Sequence, residues 1–368
     1  MESRRLDSID ALRGFDMMFI MGMAAVIRAV CNLFPGGSDC AIQTALTHCE
    51  WDGLRLYDTI FPLFLFIAGI SFPFSYSKQQ AAGTSKGKVY WKIARRALIL
   101  FAFGLIYNGL LKTWDWAGFR LFSVLGRIGV AWAIAAVIFI NCKTSVRAVI
   151  CGVILVGYWL LLALCPAPDA PAGEGPFSLS GNLVGYIDRV LYPDHLYTKG
   201  LFEPEGLLSN LPAVVTALLG MNAGEIVRRE DISGNRKCLT MLILAAVLTV
   251  VGLVWSNWFP INKKLWSSTF VLVVAGYSFA IFSLFYWIID VKGWKGWIMP
   301  FKVIGMNSIT IYMLQRIVNL RATTDFLFGG LAAQFTENGA ALVNTAAYFL
   351  ISWLILFFLY KKKIFLKI

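Results

Sequence analysis

HCEWDGLRLYDTIFPLFLFIAGIS, residues 48–71, decides the fold class. It opens polar and then runs without a charge from Thr59 as far as Ser77. A helix of that length crosses a hydrocarbon layer roughly 30 Å thick. Similar runs recur along the chain. Of 368 residues, 58% are hydrophobic, and the mean hydropathy of +0.68 lies far above a soluble domain. Lipid admits only helices or closed barrels. The runs are about twenty residues long and do not alternate as barrel strands do. The expectation is an all-α polytopic membrane protein with about ten spans. They lie near 12–32, 55–77, 93–111, 121–141, 146–165, 209–227, 238–257, 269–290, 301–318 and 341–360.

The net charge of +12 does not point to nucleic acid, because the cations sit in short loops between the spans. With the N-terminus inside, 22 of the 33 basic residues face the cytoplasm and eight face outward. Loops rich in Lys and Arg stay in the cytoplasm, so both termini are placed there. The stretch before the first span is polar, with no short apolar region and cleavage site of a signal peptide. The chain reads as a single transmembrane domain over 1–368, with one long exported loop at about 166–208. No internal repeat is evident.

On this topology His48 lies outside the cytosol, as does the only other histidine, His195. An imidazole at a helix mouth can act as base, acid or nucleophile, or simply cap a helix beside Asp58. Ionisable groups within apolar runs must pair or face a cavity. Asp10, Arg13 and Asp16 are spaced to pair along one helical face. Arg28 and Arg127 also fall within spans, and Arg127 has no acid one turn away. Pro62, Gly69 and Pro73 suggest irregular backbone in the second span. Trp51, Trp114, Trp116, Trp258 and Trp266 gather at the outer span ends, as an interfacial belt or as stacking planes for sugars. Seven cysteines lack metal-ligand spacing, and no metal is expected. Cys40 and Cys49 can pair as a disulfide or remain thiols.

Seven stretches, in order, resemble the heparan-α-glucosaminide N-acetyltransferase family of membrane acyltransferases, in the form without the lysosomal enzyme's extra N-terminal domain. They are RLDSIDALRGFD at 5–16, the opening stretch at 48–71, VLGRIGV at 124–130, GYIDR at 185–189, FEPEGLLSNL at 202–211, PINKKLWSSTFVL at 260–272 and GMNSI at 305–309. The resemblance implies an enzyme that moves acetyl from cytosolic acetyl-CoA to the amino group of a glucosamine-type sugar across the membrane. It makes His48 the catalytic histidine, as general base or as a covalent acetyl carrier. Asp58 orients it or binds the sugar ammonium. Where the lysosomal member has an asparagine near the end of its first span, this chain has Ala24, with Asn32 nearby.

Acceptor contacts are expected from Trp51, Asp188, Glu205, Trp266 and Asn307, and coenzyme A contacts from Arg13, Arg127 and Lys302. Arg95, Arg96 and Lys237 are further cations for its phosphates. The resemblance also implies a homodimer in a bacterial inner membrane, with His48 on the periplasmic side. Two other readings use the same residues: an O-acyltransferase of envelope glycans, and a sugar or anion transporter without catalysis.

Overall fold

The computed structural model describes residues 6–113, 118–198 and 200–366. The expected contacts of Trp114 and Trp116 fall outside these residues. The described chain is a helical bundle, and its only strand-like pairing is one isolated bridge between Thr198 and Phe202. Eight helical segments are long and apolar enough to cross a membrane. They run Asp7–Cys31, Leu56–Ala81, Val124–Asn141, Thr144–Leu164, Asn210–Arg228, Gly234–Trp255, Ser268–Val291 and Glu337–Lys361. The protein is a polytopic all-α membrane protein.

The other two expected spans take different forms. The third is a helix over Lys86–Tyr107, whose first half carries Lys86, Lys88, Lys92, Arg95 and Arg96. The ninth is broken. Met299–Met306 and Ser308–Ile317 meet at Asn307, whose φ of −125° and ψ of 28° are not helical.

Side-chain caps start several helices. Ser123 Oγ accepts from Gly126 N at 3.0 Å, Ser267 caps through Phe270 N, and Asn182 Oδ1 accepts from Gly185 N at 2.7 Å. Each satisfies an N–H that the helix itself leaves without a partner.

The second span is one continuous helix over Ile60–Ala81, contrary to the irregular backbone expected there. Pro62 lies in the first turn, where the missing N–H costs nothing. Gly69 serves close packing instead. A Cβ on it would lie 2.3 Å from Ala217 O, and one on Gly220 would lie 2.1 Å from Phe66 O. The Ile60–Ala81 and Asn210–Arg228 helices therefore meet backbone to backbone, the contact that small residues allow in lipid. Irregularity falls in the first span. A π-turn at Phe19–Met23 contains Gly22 at φ 140°, a value that disfavours any side chain.

The three charges of that span do not pair as a set. Arg13 reaches Asp10 at 3.4 Å and Ser71 Oγ at 3.3 Å. Asp16 is buried without such a contact to Arg13, because Arg13 is drawn towards the second span and Gly305. All seven cysteines are free thiols, Cys40 and Cys49 among them.

Candidate active site

Residues 48–58 form a short polar loop that enters the Ile60–Ala81 helix through a 3-10 turn at Leu56–Thr59. Asp58 is buried there, and its carboxylate organises the loop. Oδ2 accepts from Cys49 N at 3.2 Å and from Arg55 N at 3.1 Å. Oδ1 lies 2.7 Å from His48 Nδ1. A ring nitrogen facing a carboxylate carries the proton, so in the neutral imidazole Nε2 keeps its lone pair. Nε2 makes no hydrogen bond among the described residues, and the His48 side chain is 52% exposed. This is an Asp–His pair with the free nitrogen left for solvent or substrate.

A second loop, 256–267, delivers Lys263 to the same place. Asn262 holds it: Nδ2 donates to Asp52 Oδ1 at 3.0 Å, and Oδ1 accepts from Leu265 N at 2.8 Å. Gly53 N donates to Ile261 O at 2.8 Å. Lys263 Nζ then sits 3.1 Å from His48 Nδ1 and 3.4 Å from Asp58 Oδ1. With the Nδ1 proton directed at Asp58, the ammonium donates to Asp58. Burial pushes the lysine below its ordinary range, against the pull of Asp58 and Glu205.

His48, Asp58 and Lys263 line a cavity of about 780 Å³, together with Trp51, Glu205, Arg127 and Trp266. Five sequence candidates thus converge on His48. Arg127 is buried, donates to Pro204 O at 2.7 Å and to Ser209 Oγ, and lies 4.7 Å over the Trp266 ring. It lines the same chamber as His48. Trp266 is 1% exposed at φ 52°, a strained value for a bulky residue. Its ring supports Arg127 and meets the edge of Phe61 at 5.0 Å, so it is a platform and not an open stacking wall. Trp51 donates to Phe177 O at 2.8 Å and packs on Phe202.

Four candidates lie elsewhere. Asn307 and Arg13 line a separate cavity of about 320 Å³, because the broken helix places Asn307 beside the first span. Lys302 is neutralised by Asp7 at 2.5 Å. Asp188 is buried under the 202–211 segment, where Oδ1 accepts from Leu207 N at 3.0 Å, and a Cβ on Gly206 would lie 1.7 Å from Oδ2. Asn32 gives its carbonyl to Asn338 Nδ2, and His195 Nδ1 lies 2.7 Å from Phe119 O; neither lines the His48 cavity.

Burial raises the Asp188 carboxyl from an ordinary 3.8 to about 6. A carboxyl raised in the folded state binds its proton more tightly there. Its stabilising contribution is full below about 3.8 and is lost as pH rises through about 6, a difference of about 3 kcal/mol. Asp188→Asn keeps the acceptor for Leu207 N and cannot ionise. It is expected to raise the apparent Tm at pH 8 and to change it little at pH 4. A lower Tm at pH 8 would mean that the fold needs the charge.

Arg120 and Glu203 join the site without having been candidates from sequence. Arg120 grips the buried Glu203 at 2.9 and 2.5 Å and also binds Glu205. Tyr197 N and Glu205 N both donate to Glu203. The cluster holds the exported-loop segment 197–205 against the cavity and keeps Glu205, beside Arg120 and Arg127, ionised below its ordinary range. The FEPEG run is the signal that could have found them: two acids two residues apart in a mainly apolar chain require a buried cation.

At the opposite end of the bundle lies a cavity of about 410 Å³ with Lys92, Arg95 and Arg96 in its wall. It shares Ser71 and Arg96 with the Arg13–Asn307 cavity. That cavity shares Phe64, Ser308 and Ile309 with an apolar neck of about 30 Å³. The neck in turn shares Val124 and Tyr312 with the His48 chamber.

No family model matches the chain. The chain is similar to two curated proteins named heparan-alpha-glucosaminide N-acetyltransferase. The human protein is 30% identical over 417 aligned positions, covering 99% of this chain and 60% of its own length. The mouse protein is 31% identical over 419 positions, covering 100% of this chain and 62% of its own length. The chain spans about three-fifths of the relatives it matches. Over nearly its whole length the chain is therefore similar to the heparan-α-glucosaminide N-acetyltransferases.

Proposed function

We propose that the protein transfers acetyl from acetyl-CoA to the amino group of a glucosamine-type sugar, with donor and acceptor entering from opposite sides of the membrane. The file of wall-sharing cavities from the basic pocket to His48 carries this reading. Two orphaned donors mark the donor path. Arg96 has a buried Nε without a partner and Asn307 a buried Nδ2 without one, and both line the Arg13 cavity. Arg96 stacks on Trp132 at 4.3 Å and has no acid to neutralise it among the described residues. Such a cation is suited to a phosphate. Lys92, Arg95 and Arg96 would hold the nucleotide phosphates, and the neck residues would close around the thin pantetheine arm.

Acetyl-CoA supplies the thioester carbon as electrophile. His48 Nε2 takes a proton from the acceptor amine as its nitrogen bonds to that carbon. The C–S bond breaks, and Nε2 returns the proton to the leaving thiolate, which departs as the free thiol. Asp58 holds Nδ1–H throughout and stabilises the transient imidazolium. Glu205 would accept from acceptor hydroxyls, and the Trp51 ring would lie against the sugar. In this reading the basic cavity faces the cytosol and the His48 chamber faces outward, in a bacterial inner membrane; the bias of loop charges supports that orientation.

The deciding experiment is transfer of labelled acetyl from acetyl-CoA by the purified protein to glucosamine and to a panel of neutral sugars. Labelled N-acetyl product is expected. Label found only on hydroxyls would replace the acceptor class, and no transfer to any member would remove the enzyme reading.

A further inference from the structure

A second cavity, of about 550 Å³, lies on the other side of Tyr57 from His48. Tyr57 is in its wall, and the Tyr57 and His48 rings are 4.8 Å apart. The remaining walls come from the π-turn of the first span, the Leu320–Ala332 helix and the Glu337–Lys361 helix.

Two arginines line it, Arg28 half-buried and Arg321 exposed. Among the described residues neither has an acid within ion-pair distance or a side-chain hydrogen bond. Asp325 is in the same wall, one turn from Arg321, where an i,i+4 pair could form. No such pair is made. The lining therefore carries two cations against one acid. A cation within a span needs a partner or water, and Arg28 has been given space and no protein partner among the described residues.

The neutral lining is built for polar contact too. Gln315 Nε2 donates to Met21 O at 2.7 Å, and Gln315 and Tyr348 both line the cavity. Asn344 Oδ1 is buried with no partner. The π-turn contributes Gly22 to the wall, and a Cβ there would meet the Tyr348 ring at 3.5 Å, an ordinary contact distance. Phe19, Ile20, Ala24 and Ala25 make the rest of that side apolar.

We propose that this cavity binds a phosphate-bearing ligand. Arg28 and Arg321 take the phosphate, because planar guanidinium forks match its oxygens, and the apolar side takes an attached chain or ring. The same chemistry belongs to an anionic phospholipid and to a soluble phosphate ester.

The test is the apparent Tm of the purified full chain in neutral detergent, titrated with phosphatidylglycerol, with phosphatidylcholine as control, or with inorganic phosphate. A saturable rise is expected with phosphatidylglycerol or phosphate, and an apparent affinity at least ~10-fold weaker in Arg28→Gln and Arg321→Gln. A response to the lipid alone assigns the source to the bilayer, and a response to phosphate assigns it to a soluble ester. No saturable response to either, or equal responses in wild type and variants, would overturn the proposal. Arg321 is exposed, so Arg321→Gln carries the test even where Arg28→Gln does not yield a monodisperse protein. No acetyl transfer is measured, so the outcome is independent of the catalytic reading.

Discussion

His48→Ala is expected to lower acetyl transfer by about 10³-fold or more, while acetyl-CoA still raises the apparent Tm of the variant. General-base catalysis contributes on the order of 10²–10⁴, and no other group in the cavity can replace it. Lys263 is a donor held by Asp58. Glu205 is tied to Arg120. The fold should tolerate the change, because the His48 side chain is half exposed and Asp58 keeps the Cys49 and Arg55 amides and Lys263. The check is steady-state transfer beside a coenzyme titration. Retained transfer would leave an enzyme whose base is another residue. Loss of both transfer and coenzyme stabilisation would mean that the variant had lost its structure.

Asp58→Asn is expected to lower transfer by about 10²–10⁴-fold, the range in which an orienting carboxylate acts on its histidine. An amide can present its NH₂ to Nδ1, which moves the ring proton to Nε2 and removes the base. It also weakens the bonds from the Cys49 and Arg55 amides, since these lose the carboxylate's charge. The double variant with His48→Ala should be no slower than His48→Ala alone, because residues that act as one unit are not additive. A double variant slower by the product of the two single losses would show that Asp58 acts on the substrate directly. The comparison therefore separates an orienting carboxylate from one that binds the sugar ammonium.

Much of the site is legible in the sequence because its residues are out of place in lipid. A histidine and an aspartate ten residues apart at the mouth of one apolar run are in contact at 2.7 Å. Arg127, lacking an acid on its own helix, does face a cavity. Other placements depend on elements distant in sequence. Lys302 looks available for coenzyme A, but Asp7, nearly 300 residues away, holds it. Asn307 looks like an acceptor contact, but the break in its helix faces the first span. Nothing local separates Lys263 from Lys264. The bonds that hold the loop, Asn262 to Asp52 and Gly53 to Ile261, set Lys263 beside His48 while Lys264 donates to Glu50 O.

By itself the sequence determined the solvent of this protein and hence its architecture. Mainly apolar runs of membrane length that do not alternate must be helices, because lipid admits only helices or closed barrels, and eight helices of that length and composition are present. The tertiary structure decided where those helices bend and which charges meet. Pro62 and Pro73 look disruptive and are absorbed into a continuous run, whereas the breaks fall at Gly22 and Asn307. The reason is physical. Hydropathy is a sum over neighbours in sequence, but a buried charge is stabilised by whatever lies a few ångströms away in space. The same distinction leaves Arg28 and Arg321 beside a cavity with no acid paired to either among the described residues.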